Sequence, residues 1–118
     1  MAMIAILLSG CADLEQPEVE RVATTFATAD PAARCALLAP ATVVAVESHA
    51  SMPCTEAVRL LGTSGGEVLA ASVWGDAAQV RLRGDTLFLT RTGEGWRVSA
   101  AGCRPHGEAP YDCLLEGP

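Results

Sequence analysis

Five cysteines carry most of the reactive chemistry in this 118-residue chain: Cys11, Cys35, Cys54, Cys103 and Cys113. Cys11 stands apart, at the end of an apolar run. The other four form an even set, which in a small domain reads as a disulfide framework. Four cysteines allow three pairings. Cys35–Cys54 with Cys103–Cys113 is favoured, because each pair lies within one local segment. Bridges closing loops of that size contribute about 3 kcal/mol each in the chain-entropy picture. Zinc binding is disfavoured, since there is no C-x-x-C and neither His49 nor His106 has ligand-like spacing to the cysteines. A catalytic thiol would need a base beside it, and the sequence offers no clear partner.

Acid–base chemistry needs a carboxylate or imidazole whose pKa burial has shifted. The acids of the second half, Glu67, Asp76, Asp85 and Glu94, all fall at or beside glycine-rich turns, where solvated carboxylates are expected. Asp112 and Tyr111 could cluster with Arg104, although a surface ion pair is the expectation. His49 and His106 have no visible partner. Ser48 and His49 form a triad on paper with almost any acid, and such sets have no specificity. No catalytic residue, metal ligand or cofactor is assigned. Trp74 and Trp96 are large rings in a chain poor in them; with Phe26 they fill the core or line the mouth of a pocket. Arg81 and Arg83 share one face of a strand, and Arg91 and Arg97 join them only in a suitable register. Such a stripe would hold an anionic partner, but a solvated sheet face is the default.

The apolar run ends in Leu8-Ser9-Gly10-Cys11, and polar residues follow at once. These four residues resemble the lipobox of bacterial lipoproteins, in which the cysteine is linked to diacylglycerol and becomes the first residue after cleavage. The basic n-region of a secretory signal is missing. The resemblance implies a signal remnant at 1–10, a lipid-attached tether at 11–16 and one domain at 17–118. It implies membrane attachment through Cys11, outside the cytoplasm, where disulfides persist. A diacyl anchor meets the need for two chains. The competing reading is a buried helix or strand with an ordinary cysteine.

Composition narrows the rest. Half the residues are apolar, mostly Ala, Val and Leu, so a packed core of small pieces is expected. The net charge is −6, which argues against nucleic acid. All eight basic residues are arginine. No stretch reaches the ~20 apolar residues of a membrane span.

These residues are held by helices first and strands second. Pro17 is expected to start a helix in which Val19, Val22, Ala23, Phe26 and Ala27 form one apolar face. Asp30-Pro31 caps a second. Short helices are expected at 41–47 and 54–61, the latter ended by Gly62. After Thr63-Ser64-Gly65-Gly66 strands dominate: 67–74, 78–83, 86–92 and 96–101. Short turns between them imply an antiparallel meander. Residues 102–118 read as a punctuated tail pinned by Cys103–Cys113. The fold class is α+β, short helices packed on a curved, roughly four-stranded sheet.

At this point Ala33-Arg34-Cys35-Ala36-Leu37-Leu38-Ala39-Pro40, Val73-Trp74-Gly75-Asp76 and Asp85-Thr86-Leu87-Phe88-Leu89-Thr90 matter together. With Gly95-Trp96-Arg97-Val98, Ala101-Gly102-Cys103-Arg104-Pro105 and Pro110-Tyr111-Asp112-Cys113, they resemble small secreted actinobacterial lipoproteins. Those are related to the nuclear transport factor 2-like, or SnoaL-like, superfamily. The resemblance implies a cone-like fold and either a non-enzymatic binding domain or an isomerase- or cyclase-type enzyme for an apolar metabolite. A purely structural envelope protein is the third expectation. The partner is then the membrane, with an unknown small molecule or envelope protein.

Overall fold

Val19, Val22, Ala23, Phe26 and Ala27 recur at helical spacing, and all five are buried. They lie on α1, Met3–Thr28, in a computed structural model that describes residues 3–62 and 65–118. Side chains in α1 are described from Leu14 onward; Cys11 and its lipobox neighbours lie outside those described residues. The helix does not start at Pro17, which sits inside it. Good helix formers on its N-terminal side, Ala12, Leu14, Glu15 and Gln16, carry the helix past a residue that removes one backbone hydrogen bond and crowds the preceding turn, a cost of about 3 kcal/mol. Residues 14–16, expected in a tether, are therefore helical.

Three short helices follow. Asp30 caps α2, Pro31–Leu37, its carboxylate accepting from the Ala33 N–H at 2.9 Å. A cap of this kind contributes about 1 kcal/mol. α3, Pro40–Ala50, is longer than the expected 41–47: Pro40 takes its first position, and it runs on to Ser51, which ends it in the left-handed region at φ 54°. α4, Cys54–Ala57, passes into a 3₁₀ turn, Val58–Leu61, and Gly62 ends it at φ 68°. The Cys35–Cys54 bridge joins α2 to α4, with 6.1 Å between the Cα atoms.

The strands are β1 Val68–Trp74, β2 Ala77–Leu82, β3 Thr86–Thr92, β4 Gly95–His106 and β5 Ala109–Glu116. They pair antiparallel in chain order, an open meander with the helices packed on it. Alternation sets the inner face: Ala78, Val80 and Leu82, then Leu87 and Leu89, then Trp96 and Val98 are all buried, while a register shift turns Ala100 to the side of Phe88 and brings Ala101 into the core in its place. The start of α3 is tied to β4 by two hydrogen bonds. The Ala39 N–H donates to the Val98 carbonyl at 2.8 Å, and the Thr42 hydroxyl to the Ser99 carbonyl at 3.3 Å.

The sheet has five strands, not four, because the segment read as a tail is a hairpin. Gly102 and Pro105 look like strand breakers, yet β4 runs through both. Gly102 takes φ 67°, and a register shift falls between Arg104 and His106, so Pro105 sits at an irregularity that needs no ladder N–H. Cys103 and Cys113 face each other across this hairpin and are bridged.

Gly102 generates a prediction. A Cβ there would meet Leu61 Cδ2 at 2.9 Å and Leu114 Cβ at 3.0 Å, on a left-handed backbone. Gly102→Ala should lower stability by about 1–3 kcal/mol, read from urea unfolding midpoints. Gly93→Ala, with open space around it, should change little.

Candidate functional site

Among the described residues, one charged side chain is buried. Arg34, on α2, is 7% exposed and reaches under the ends of its neighbours. Its Nη2 donates to the Ala27 carbonyl at 2.9 Å, and its Nη1 to the carbonyls of Gly62 at 3.2 Å and Val58 at 3.4 Å. The guanidinium lies 5.8 Å from the Phe26 ring centroid. A cation at the carbonyl-rich ends of α1 and the 3₁₀ turn is electrostatically favoured. Sequence reading passed over Arg34; the signal was a lone charge in the apolar segment Pro31–Leu37.

Asp85 corrects an expectation. It is not a solvated turn acid but half-buried between β2 and β3. Its Oδ1 accepts from the N–H of Thr86 at 2.7 Å and of Cys103 at 3.1 Å, and its Oδ2 from Gly102 at 3.1 Å. Burial pushes the carboxyl pKa up, against the three backbone donors and Arg34, which pull it down. Phe26, Arg34, Asp85 and Leu87 line a cavity of only about 10 Å³. That is about the space of one water, and it admits no substrate.

The remaining acids are engaged at the surface. Arg83 grips both oxygens of Glu67, at 2.9 and 2.8 Å. Arg91 pairs with Asp76 at 3.0 Å and with Glu15 at 3.0 Å. Glu94 lies exposed in its turn, as expected. His106, expected without a partner, meets Asp112 at 3.0 Å, so Asp112 pairs with the histidine and Arg104 stands opposite in the ladder. His49 and Glu116, both exposed, line a hollow of about 440 Å³ with Leu60 and Leu114. A basic stripe does not assemble: Arg83 and Arg91 are in ion pairs, and Arg97 donates to the Trp96 carbonyl.

The aromatic residues divide in a way the sequence did not reveal. Phe26 and Trp96, 1% and 2% exposed, fill the interior and line no open pocket. The indole N–H of Trp96 donates to Glu15, and the Arg91 guanidinium stacks 4.9 Å over its ring. Those contacts hold Glu15 below the usual carboxylate range, the Trp96 bond first and Arg91 second. Trp74, expected to fill the core or to line the mouth of a pocket, does not fill the core. It is 53% exposed, because it ends an edge strand on the face that alternates away from the helices.

Trp74 opens onto a groove. Two hollows of about 430 and 350 Å³ adjoin, sharing Phe88, Ser99, Gly117 and Pro118. Trp74, Ala77 and Thr90 line the first; Pro110, Tyr111 and Glu116 line the second. Phe88 and Tyr111 meet edge to face, centroids 5.3 Å apart. Glu116 is the one charged lining residue of the pair. Phe88 was legible only as the outward member of Leu87-Phe88-Leu89. Among the described residues, no three His, Cys, Asp or Glu side chains converge as a metal site would require. No helix among them is long and apolar enough to cross a membrane. Compared with protein families, curated proteins and solved structures, the chain finds no match.

Asp85 sets a pH dependence. An acid whose pKa is raised on folding favours the fold while protonated, and that contribution is lost as pH rises through the folded pKa. The stability of the wild type relative to Asp85→Asn should therefore fall as pH rises through the carboxylate range. Urea unfolding of both proteins at a series of acidic to neutral pH values measures it. A difference that grows with pH would mean the carboxylate is favoured by folding.

Proposed function

We propose that the chain is an extracytoplasmic, non-enzymatic binding domain, attached to the membrane through a lipidated Cys11, that engages its partner on the sheet surface. Two disulfides fit an oxidising compartment. The lipid anchor rests on Leu8-Ser9-Gly10-Cys11. Kinship with the nuclear transport factor 2-like lipoproteins belongs to the same proposal, supported by the α+β plan.

One observation carries the reading. The interior is filled by Phe26, Trp96 and aliphatic side chains, while Trp74, Phe88 and Tyr111 stand around an open groove. Aromatic rings left at a surface with few charges are the usual anchors of recognition. The half-buried carboxylate, Asp85, spends its acceptor capacity on three backbone N–H groups. A general base would need that capacity for substrate.

A photoreactive residue placed at Phe88, in cells of the host, should crosslink to an envelope component. The same probe at the exposed Arg81 should not. Equal capture at both positions, or at neither, would remove the groove from the account. Separately, Cys11→Ser should move the protein from the membrane fraction to the soluble fraction without changing its unfolding midpoint.

A further inference from the structure

The buried polar centre leaves one donor and one acceptor over. A guanidinium carries five N–H donors in a fixed plane. Arg34 places Nη1 and Nη2 on the carbonyls of Val58, Gly62 and Ala27, but its Nε–H reaches no acceptor in the chain. Among the described residues it is the one buried side-chain nitrogen or oxygen without a hydrogen bond. A donor on a charged group, taken from water and given no partner, opposes folding. On the other side, a carboxylate has about four acceptor positions. Asp85 uses two on Oδ1, for Thr86 and Cys103, and one on Oδ2, for Gly102, so Oδ2 keeps one.

We infer that a single water molecule is bound between the two, accepting a hydrogen bond from Arg34 Nε and donating one to Asp85 Oδ2. Both side chains line the same cavity, and its volume of about 10 Å³ suits one water. Among the described residues no hydrogen bond or ion pair joins Arg34 to Asp85 directly, yet they are near enough for the guanidinium to pull the Asp85 carboxyl pKa down. A buried water also needs about two to four polar partners. Arg34 and Asp85 supply two. Gly62 stands in the same wall, and its carbonyl gives one of its two lone pairs to Arg34 Nη1. The second lone pair is a third partner for the water.

Other occupants fit less well. Phe26, Ala27, Leu61 and Leu87 complete the lining with apolar side chains. A metal cation would lie against the guanidinium charge, and a polyatomic anion exceeds the space and would face Asp85. A bound water also joins two networks. Arg34 gathers carbonyls from the helical segments, and Asp85 gathers N–H groups from the strands. Through the water they become one continuous chain of hydrogen bonds, so a polar link between helices and sheet adds to the apolar packing.

The test uses the wild-type chain with both disulfides formed, so no variant has to fold. A crystal structure that resolves ordered solvent should place one water within hydrogen-bond distance of both Arg34 Nε and Asp85 Oδ2. In solution, the Arg34 Nε–H should give a resolved, slowly exchanging NMR signal. Its Overhauser cross-peak to water should carry the sign of a long-lived contact rather than of surface hydration. A direct bond from Arg34 Nε to Asp85 or to a backbone carbonyl overturns the inference. So does a water that touches only one of the two side chains, a site without solvent density, or an Nε–H that exchanges as fast as an exposed arginine.

Discussion

A core built from Ala, Val and Leu is the constraint to which the rest of this structure responds. Only Phe26 and Trp96 bring aromatic bulk inside. A small domain with a core of small side chains has little margin over the conformational entropy of its chain, and such domains commonly depend on covalent staples. Each disulfide joins a buried cysteine, Cys54 or Cys103, to a partly exposed one, Cys35 or Cys113. Cys35–Cys54 fastens helices too short to hold themselves, and Cys103–Cys113 fastens the last hairpin, whose outer strand is largely exposed. Each bridge restricts the unfolded chain, and the longer Cys35–Cys54 loop, 19 residues apart against 10, gives it the larger effect in the chain-entropy picture.

The buried polar centre works on the same problem. Arg34 collects the carbonyls at the ends of α1 and the 3₁₀ turn; without it they would face the interior unpaired. Asp85 does the converse for three N–H groups at the β2–β3 turn and the Gly102 bend. Arg34 ties the helical segments to one another and Asp85 ties the strands, and the two opposite charges attract across a water-sized space beside Phe26. With the interior closed in this way, the remaining aromatic side chains, Trp74, Phe88 and Tyr111, stand around an open groove.

Much of the architecture was legible because it follows local rules. Alternation in Gln79-Val80-Arg81-Leu82 and Leu87-Phe88-Leu89 named the inner face, short turns implied the meander, and Asp30-Pro31 marked a helix start. Locality gave both cysteine pairs. The failures share one cause, which is tertiary context overriding a local signal. Gly102, Pro105 and Pro110 read as punctuation, but a left-handed bend, an irregular register and an edge position accommodate each within strands. Pro17 read as a helix start and is an interior residue. Asp85 looked like a turn acid because its partners, Gly102 and Cys103, lie on a distant strand. Trp74 looked like core by its type, and only its place at the end of an edge strand puts it outside.

The account's central claim is that this is a stapled domain folded in an oxidising compartment. The direct measurement is the intact mass of the protein from its own host, alkylated under denaturing conditions with and without prior reduction. The account predicts no alkylation at Cys35, Cys54, Cys103 or Cys113 before reduction and alkylation of all four afterwards. Alkylation of those four residues without reduction would contradict it, because the small core would then stand without its staples.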